Sequence, residues 1–494
     1  MNETRVKIFK KLEAFGKKIS DTSISELHNQ NNFDKRNIKT EFLNYDFSKQ
    51  KISNEAYEYL LKIPEKIGLR KTLRKLFDGE IQNHSENKKV THTLYRDTNP
   101  KDKFELIFNE RRKIESFLKS NTDNPVYTNL ICISIGGSRL GPELISQFLG
   151  SNGPIKVYFC SSYDLLELED VLNNCKQSET LLFVSSKSFE TSEVIKNLER
   201  AKSWFKKDQS INLQDHIYGI SSNQSAMFVH GIKESNQFIL LDSLGGRFSL
   251  WSSISLPSFI NSDYQSYLKL LEGAREADEL TLNSSWDNNI SVIMALLSIW
   301  NTNSLNINNH GIFTYNFRLR SLTNYIAQLS MESNGKSTNF RSETSPFLTS
   351  PLIWGGYGIE SQHSTFQWMM QGKTHTACDF IGVNDQNYES IESQKILLSQ
   401  VVAMSFGKED IENPYKSVRG NNPCSVLQLN KLDLKSLGFL LALYEHKIFT
   451  EATILGLDPF DQWGVQLGKD LSINTREDEK FLDSYFSSDT LPKA

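Results

Sequence analysis

Hydrophobic and polar positions change their spacing along the chain, and the change divides it into regions. Residues 1–80 are rich in Lys, Glu and Asn, and Ile8, Leu12, Phe15 and Ile19 recur at helical intervals. This region is predicted to be helical, with no strong strand. From about residue 125 the pattern becomes strand, turn, helix. YTNLICISI (127–135) is a β-type run; GGSRLG (136–141) follows, then PELISQFLG, a helix with Pro142 placed in its first turn. IKVYFCS (155–161) is the next strand, and LLFVSS (181–186) runs into the amphipathic KSFETSEVIKNLERAKSWF. DHIYGIS (215–221) and FILLD (238–242) continue the series. Strands alternating with helices imply a parallel sheet covered on both faces.

The later half carries a long apolar helix, ISVIMALLSIW (290–300), then strand-like GIFTYNF (311–317), SPFLTSPLIWGG (345–356) and HTACDFIGV (375–383). The polar cluster LTLNSSWDNN places a domain border near 280–290. The expected organisation is an N-terminal helical region over 1–110, one α/β unit over 111–285, a second over 286–475, and a tail over 476–494. A chain of 494 residues suits about two to four units.

Composition narrows the function classes. With 38% hydrophobic and 23% charged residues, there is ample material for a core. A net charge of −4 gives no basic face for nucleic acid. Cys132, Cys160, Cys175, Cys378 and Cys424 are odd in number and never spaced C-x-x-C, which argues against a disulfide framework or a zinc knuckle and fits a reducing compartment. The start, MNETRVKIFKKLEAFGKK, lacks the apolar core of a signal peptide, and ISVIMALLSIW falls short of the ~20 residues a membrane span needs. A cytoplasmic protein with no membrane and no nucleic-acid partner is expected.

The candidate chemistry lies in the turns. GGSRLG puts small residues at a strand-to-helix junction, where backbone can approach a ligand and a helix N-terminus favours an anion; a tight turn alone needs glycine too. SSKSFETS (185–192) gathers five hydroxyls and Lys187 at a similar junction, more than helix capping requires and suited to a phosphate monoester. SMESNGKS (330–337) differs from the P-loop signature only in having Ser330 for its first Gly. A P-loop follows a strand, however, whereas Leu319, Leu322, Ile326 and Leu329 form a helical stripe before it. Gln328 and Glu332 then share one helix face, with Gly335 as the residue just past the helix end. What remains is a carboxylate beside an amide, either a general base or a solvated helix-end Glu. DPFDQWGVQLGKDL (458–471) also reads as a helix, with Trp463, Leu467 and Leu471 as its apolar stripe and Gln462, Gln466 and Lys469 on an adjacent face. His363 sits at a loop-to-helix junction in GYGIESQHSTFQWMMQG (356–372), and Arg247 follows two glycines in LGGRFSLWSSISL (244–256), where a cation could stabilise an oxyanion.

Jointly, ISIGGSRLGPEL, SSKSFETSE, GGRFSLWSSISL, YIAQLSMESNGKS, SQHSTFQWMMQG, LYEHKIF and PFDQWGVQLGK occur in the order found in one family. From about residue 80 to about 472 the chain resembles the glucose-6-phosphate isomerase (phosphoglucose isomerase) family; residues 1–80 and 257–310 match poorly. The resemblance implies two sugar-isomerase α/β/α subdomains with parallel sheets, preceded by the helical N-terminal region, with the active site between them at a homodimer interface. It implies that Glu332 is the base shuttling a proton between C2 and C1, and that Arg247 stabilises the enediolate. His363 and Lys469 become the ring-opening pair, with His363 reaching across from the partner subunit. Ser186, Lys187, Ser188 and Thr191 would hold the phosphate of a sugar-phosphate substrate, and Gly137, Ser138, Gln328 and Gln462 would line the sugar. No cofactor and no metal are expected, since an enediol route between aldose and ketose needs neither.

The chain departs from the family pattern in three places. Ser188 replaces Thr and keeps the hydroxyl. Gly358-Ile359-Glu360-Ser361-Gln362-His363 stands for G-T-N-G-Q-H, and Asn83-His84-Ser85-Glu86-Asn87-Lys88 stands for N-x-T-E-x-R, where Lys for Arg forfeits bidentate pairing. Two rivals compete with this expectation. A non-catalytic sugar-phosphate-binding regulator on the same fold would have no need of Glu332, Arg247, His363 and Lys469 together. An aminotransferase would need an ammonia-releasing domain with an N-terminal Cys, but residue 2 is Asn and no Cys precedes Cys132.

Overall fold

The computed structural model describes residues 3–30, 36–97, 104–123, 126–150, 153–385 and 387–474; the expected tail over 476–494 lies outside them. The first strands in chain order are β1 (Asn37–Lys39), β2 (Leu43–Lys49) and a short pair, β3 (Gln82–Asn83) and β4 (Lys88–Lys89). Next come β5 (Asn129–Ser134), β6 (Lys156–Cys160), β7 (Thr180–Ser185), β8 (Ile217–Ser221) and β9 (Gln237–Ile239). The last are β10 (Asn309–Thr314), β11 (Leu352–Tyr357), β12 (Ala377–Val383) and β13 (Cys424–Leu429).

The five strands over 129–239 form an all-parallel sheet in the order β6-β5-β7-β8-β9. Every residue of β5 and β7 is buried, as expected of central strands covered by helices on both faces. The chain leaves β5 for β6 on one side and resumes at β7 on the other, so the winding reverses between β5 and β7. Ligands of open α/β sheets bind outside the strand carboxyl ends at such a reversal. Ser134 pairs with Ser185 there, so the GGSRLG and SSKSFETS turns leave the sheet side by side.

The second sheet runs β1-β2-β13-β12-β10-β11. Its later strands are mutually parallel, while β2 lies antiparallel against β13 and β1 against β2. The hairpin is an addition to the helical N-terminal region expected from sequence. Its cue was period-two alternation: Leu43, Tyr45 and Phe47 are fully buried, with the half-buried Asn44 and Asp46 between them. Around it the region is helical, with Glu3–Lys18 burying Ile8, Leu12 and Phe15.

The apolar run at 290–300 becomes the buried helix Ile290–Asn303, capped where Val292 N donates to Asn289 Oδ1. A 22-residue helix, Leu434–Leu455, is buried along nearly its whole length and crosses Tyr264–Asn283. At the crossing a Cβ on Gly438 would stand 2.0 Å from the Leu270 carbonyl oxygen, and one on Gly273 would stand 1.9 Å from that of Lys435. Only glycine permits an approach this close. No helix among the described residues is long and apolar enough to cross a membrane.

Candidate active site

The helix Leu322–Asn334 turns Leu322, Ile326 and Leu329 into the core, which leaves Gln328 and Glu332 half-buried on another side. It ends at Gly335, but not in the left-handed conformation expected of a residue just past a helix end: φ is −74°. Glycine is needed there because a Cβ would lie 2.4 Å from the Met331 carbonyl oxygen. An open cleft of about 760 Å³ adjoins this helix end, lined by Met331, Glu332, Lys336, Phe340, Gln462 and Trp463.

Arg247 is the second residue of the short 3₁₀ segment Gly246–Trp251 and is buried. Its Nη1 lies 3.4 Å from Glu332 Oε1 and donates to Gln462 Oε1 at 3.2 Å. Nε donates to Ser333 Oγ at 2.7 Å, and Nη2 donates to the carbonyls of Asp461 (3.0 Å) and Pro459. Burial pulls the Arg247 pKa below its ordinary value, and the Glu332 and Asp461 carboxylates oppose that shift. Glu332 lines the cleft and the buried Arg247 stands behind it, an arrangement that can set a carboxylate base beside a rigid cation.

Those carbonyls correct the helix expected over 458–471. Residues 458–462 form a turn, Trp463–Val465 is a 3₁₀ segment, and the helix spans only Gln466–Asn474. Asp458 and Asp461 are engaged elsewhere: Asp458 Oδ2 accepts from His84 N (2.7 Å), Asp461 Oδ2 from Ser85 Oγ (2.6 Å), and Asp461 Oδ1 pairs with Lys336 Nζ (2.6 Å). Gln462 therefore precedes the helix and does not share a helical face with Gln466 and Lys469. Ser333, Lys336, Asp458 and Asp461 escape sequence reasoning; the two Asp flanking PF beside Gln462 were the available signal.

The glycine turn packs directly on the arginine loop. A Cβ on Gly137 would stand 2.3 Å from the Gly246 carbonyl carbon, and one on Gly136 (φ 58°) would meet the Gln328 amide at 3.2 Å. Gly137, Ser138, Gln328 and Arg247 are thus drawn to one place. The helix begins at Gly137 rather than near Pro142, which lies inside it, because Gly136 makes the turn in a single residue. In the neighbouring turn, Ser186 Oγ and Thr191 Oγ1 are 3.1 Å apart and Ser188 Oγ accepts from Glu190 N. Thr191 N-caps Ser192–Phe205 without a side-chain capping bond, so its hydroxyl faces Ser186. The Lys187 carbonyl is held by Ser221 Oγ (2.8 Å) and Ser222 Oγ (2.9 Å). Burial, then the nearby Lys88 ammonium, lowers the Lys187 pKa. Lys88 itself pairs with Asp242 at 2.9 Å.

The other two residues stand apart. His363 is exposed at the end of the short helix Gly358–Gln362, after β11, rather than at the start of a helix. Lys469 is exposed on Gln466–Asn474, whose Leu467 and Leu471 are also exposed. Among the described residues, neither side chain bonds to Glu332 or Arg247.

The sequence model of the family described as phosphoglucose isomerase matches residues 46–490. The chain belongs to the phosphoglucose isomerase family. Its match to that family begins inside β2, ahead of residue 80, where the motif-level resemblance starts. A glucose-6-phosphate isomerase of Hydrogenovibrio crunogenus is 33% identical, over 95% of each chain. One from Acinetobacter baylyi is 33% identical, over 94% of this chain and 91% of its own. The crystal structure of a glucose-6-phosphate isomerase from Chlamydia trachomatis superposes with a TM-score of 0.89 at 27% identity, over 98% of both chains. The two-sheet α/β architecture is thus the phosphoglucose isomerase architecture.

Proposed function

We propose that the protein interconverts glucose 6-phosphate and fructose 6-phosphate by ring opening and proton transfer through a cis-enediolate. The observation that carries this reading is the Glu332–Arg247 pair, 3.4 Å apart beside a cleft, in a chain similar along nearly its whole length to glucose-6-phosphate isomerases. Glu332 removes the proton from C2 of the open-chain aldose and returns it to C1. Arg247 faces the oxygen on which charge develops, where a fixed donor stabilises the transition state more than the ground state. Ser186, Lys187, Ser188 and Thr191 anchor the phosphate at the carboxyl end of β7, while Gly137, Ser138, Gln328 and Gln462 line the sugar.

His363 and Lys469 open the ring, with His363 supplied by the partner subunit of a homodimer. The exposure of His363, and the lack of a polar contact from it to Glu332 among the described residues, support that assignment. A cytoplasmic setting belongs to the same reading and is supported by cysteines that are all free thiols. Purified protein given fructose 6-phosphate, with a glucose-6-phosphate dehydrogenase as reporter, should reduce the nicotinamide continuously. Binding of the sugar phosphate with no turnover would leave a regulator in its place.

A further inference from the structure

Lys336 is the lysine that makes SMESNGKS look like a phosphate loop, yet the protein itself takes its charge. An ammonium has three protons to donate, and Lys336 Nζ meets three acceptors: Asp461 Oδ1 at 2.6 Å, the Asp461 carbonyl at 3.0 Å and the Asp458 carbonyl. Its side chain is 14% exposed and that of Asp461 12%. The Asp461 carbonyl is shared, since Arg247 Nη2 also donates to it at 3.0 Å. Two cations from distant parts of the chain therefore grip the turn 458–462, and that turn supplies Arg247 with Pro459 O, Asp461 O and Gln462 Oε1. Lys336 lies four residues beyond Glu332, so one segment carries both the base and the lysine that holds the arginine's acceptors.

We propose that Lys336 is a positioning residue for the isomerisation, setting the guanidinium of Arg247 against Glu332 by clamping the turn Asp458–Gln462. The role rests on the isomerase reading given above. Lys336 does not touch the substrate; the consequence of losing it is a displaced donor at the developing oxyanion, and misplacement by about 1 Å costs on the order of 10²-fold in rate.

The test is Lys336→Met in the full-length protein. Expected are a kcat lower by about 10–100-fold and a KM within about 3-fold of wild type, because the phosphate anchor is elsewhere. A five-carbon phosphosugar hydroxamate, whose planar anion resembles the enediolate, should lose affinity in step with kcat, while inorganic phosphate should bind as before. Lys336→Arg should recover part of the loss. In an Arg247→Ala background, Lys336→Met should cost less than about 3-fold, since its effect passes through the arginine. An equal cost in that background, or a raised KM with kcat intact, would overturn the proposal. Should Lys336→Met not fold, Asp461→Asn removes the ion pair and keeps the carbonyl; wild-type kcat and hydroxamate affinity in that variant would overturn it equally. Wild-type protein that forms no glucose 6-phosphate would refute the isomerase reading. Wild-type turnover with an unaffected Lys336→Met variant would refute only the positioning role.

Discussion

Replacing Arg247 by alanine isolates what one fixed donor contributes. A guanidinium has five N–H groups. In the structure Nε is held by Ser333, Nη2 by the carbonyls of Pro459 and Asp461, and one Nη1 proton by Gln462. The remaining Nη1 proton makes no hydrogen bond among the described residues, and Nη1 itself lies 3.4 Å from Glu332 Oε1. In the proposed mechanism Arg247 brings this one uncommitted donor to the oxyanion, and loss of one such donor should cost kcat about 10²–10³-fold, or about 2.7–4 kcal/mol. KM should change little, because the donor meets charge present only in the transition state. Thr191→Ala should behave oppositely, raising KM with kcat nearly kept, since a phosphate contact exists in ground and transition states alike. Arg247→Ala also leaves buried acceptors at Ser333, Pro459 and Asp461, each with a cost of about 1–3 kcal/mol. Water from the adjoining cleft can satisfy them, so the loss of folding stability should lie near the low end. The coupled assay at varied substrate, with urea unfolding of the same sample, separates the two effects. An unchanged kcat with a raised KM would show that Arg247 binds the ground state and would refute the oxyanion role.

Glu332→Gln should reduce activity by about 10²–10⁴-fold while phosphate binding survives, and wild-type turnover in D₂O should place deuterium at C1 of fructose 6-phosphate; transfer without solvent exchange would contradict a carboxylate shuttle. Mixing inactive His363→Ala with inactive Glu332→Gln protein should restore activity in heterodimers holding one intact site; no restoration despite proven subunit exchange would put both residues in one chain's site. The Lys187 pKa is depressed by burial and by Lys88, so phosphate binding should weaken as pH rises through that lowered value, and Lys88→Ala should move the basic limb of kcat/KM to higher pH. The linked stability has the opposite sign. Between the lowered folded pKa and the ordinary lysine value, the unfolded chain binds more protons, so stability rises with pH there, and Lys187→Met should flatten that slope in urea titrations.

The strands β5 and β7 were legible because central strands of a parallel sheet are continuous apolar runs, and the reversal between them puts the two small-residue turns where binding groups are proposed. Glu332 and Arg247 stand out for a local reason each, a helical stripe that excludes a P-loop and a pair of glycines before a cation, but the role expected of each comes only from the family resemblance. Their 3.4 Å approach was not legible, because 85 residues separate Arg247 from Glu332 in sequence (332 − 247). The turn at 458–462 misled for the same reason. Its residues have helical spacing, but Asp458 and Asp461 find partners at His84, Ser85 and Lys336, and tertiary bonds outweigh weak local preference. The hairpin β1–β2 is hidden in the sequence although Leu43, Tyr45 and Phe47 alternate, because the segments around it are charged and helical in spacing.

The seating of β2 against β13 sets an order on synthesis. Gln50 donates to Ser425 across 375 residues of chain. At about 5–20 residues per second, the ribosome needs about 20–75 s to make that length. The sheet over 129–239 uses only strands from within its own span and can close on the nascent chain. The hairpin waits throughout, with Leu43, Tyr45 and Phe47 uncovered and the β13-facing edge of β2 unpaired, and is the natural segment for a holding chaperone to cover until residue 429 has emerged.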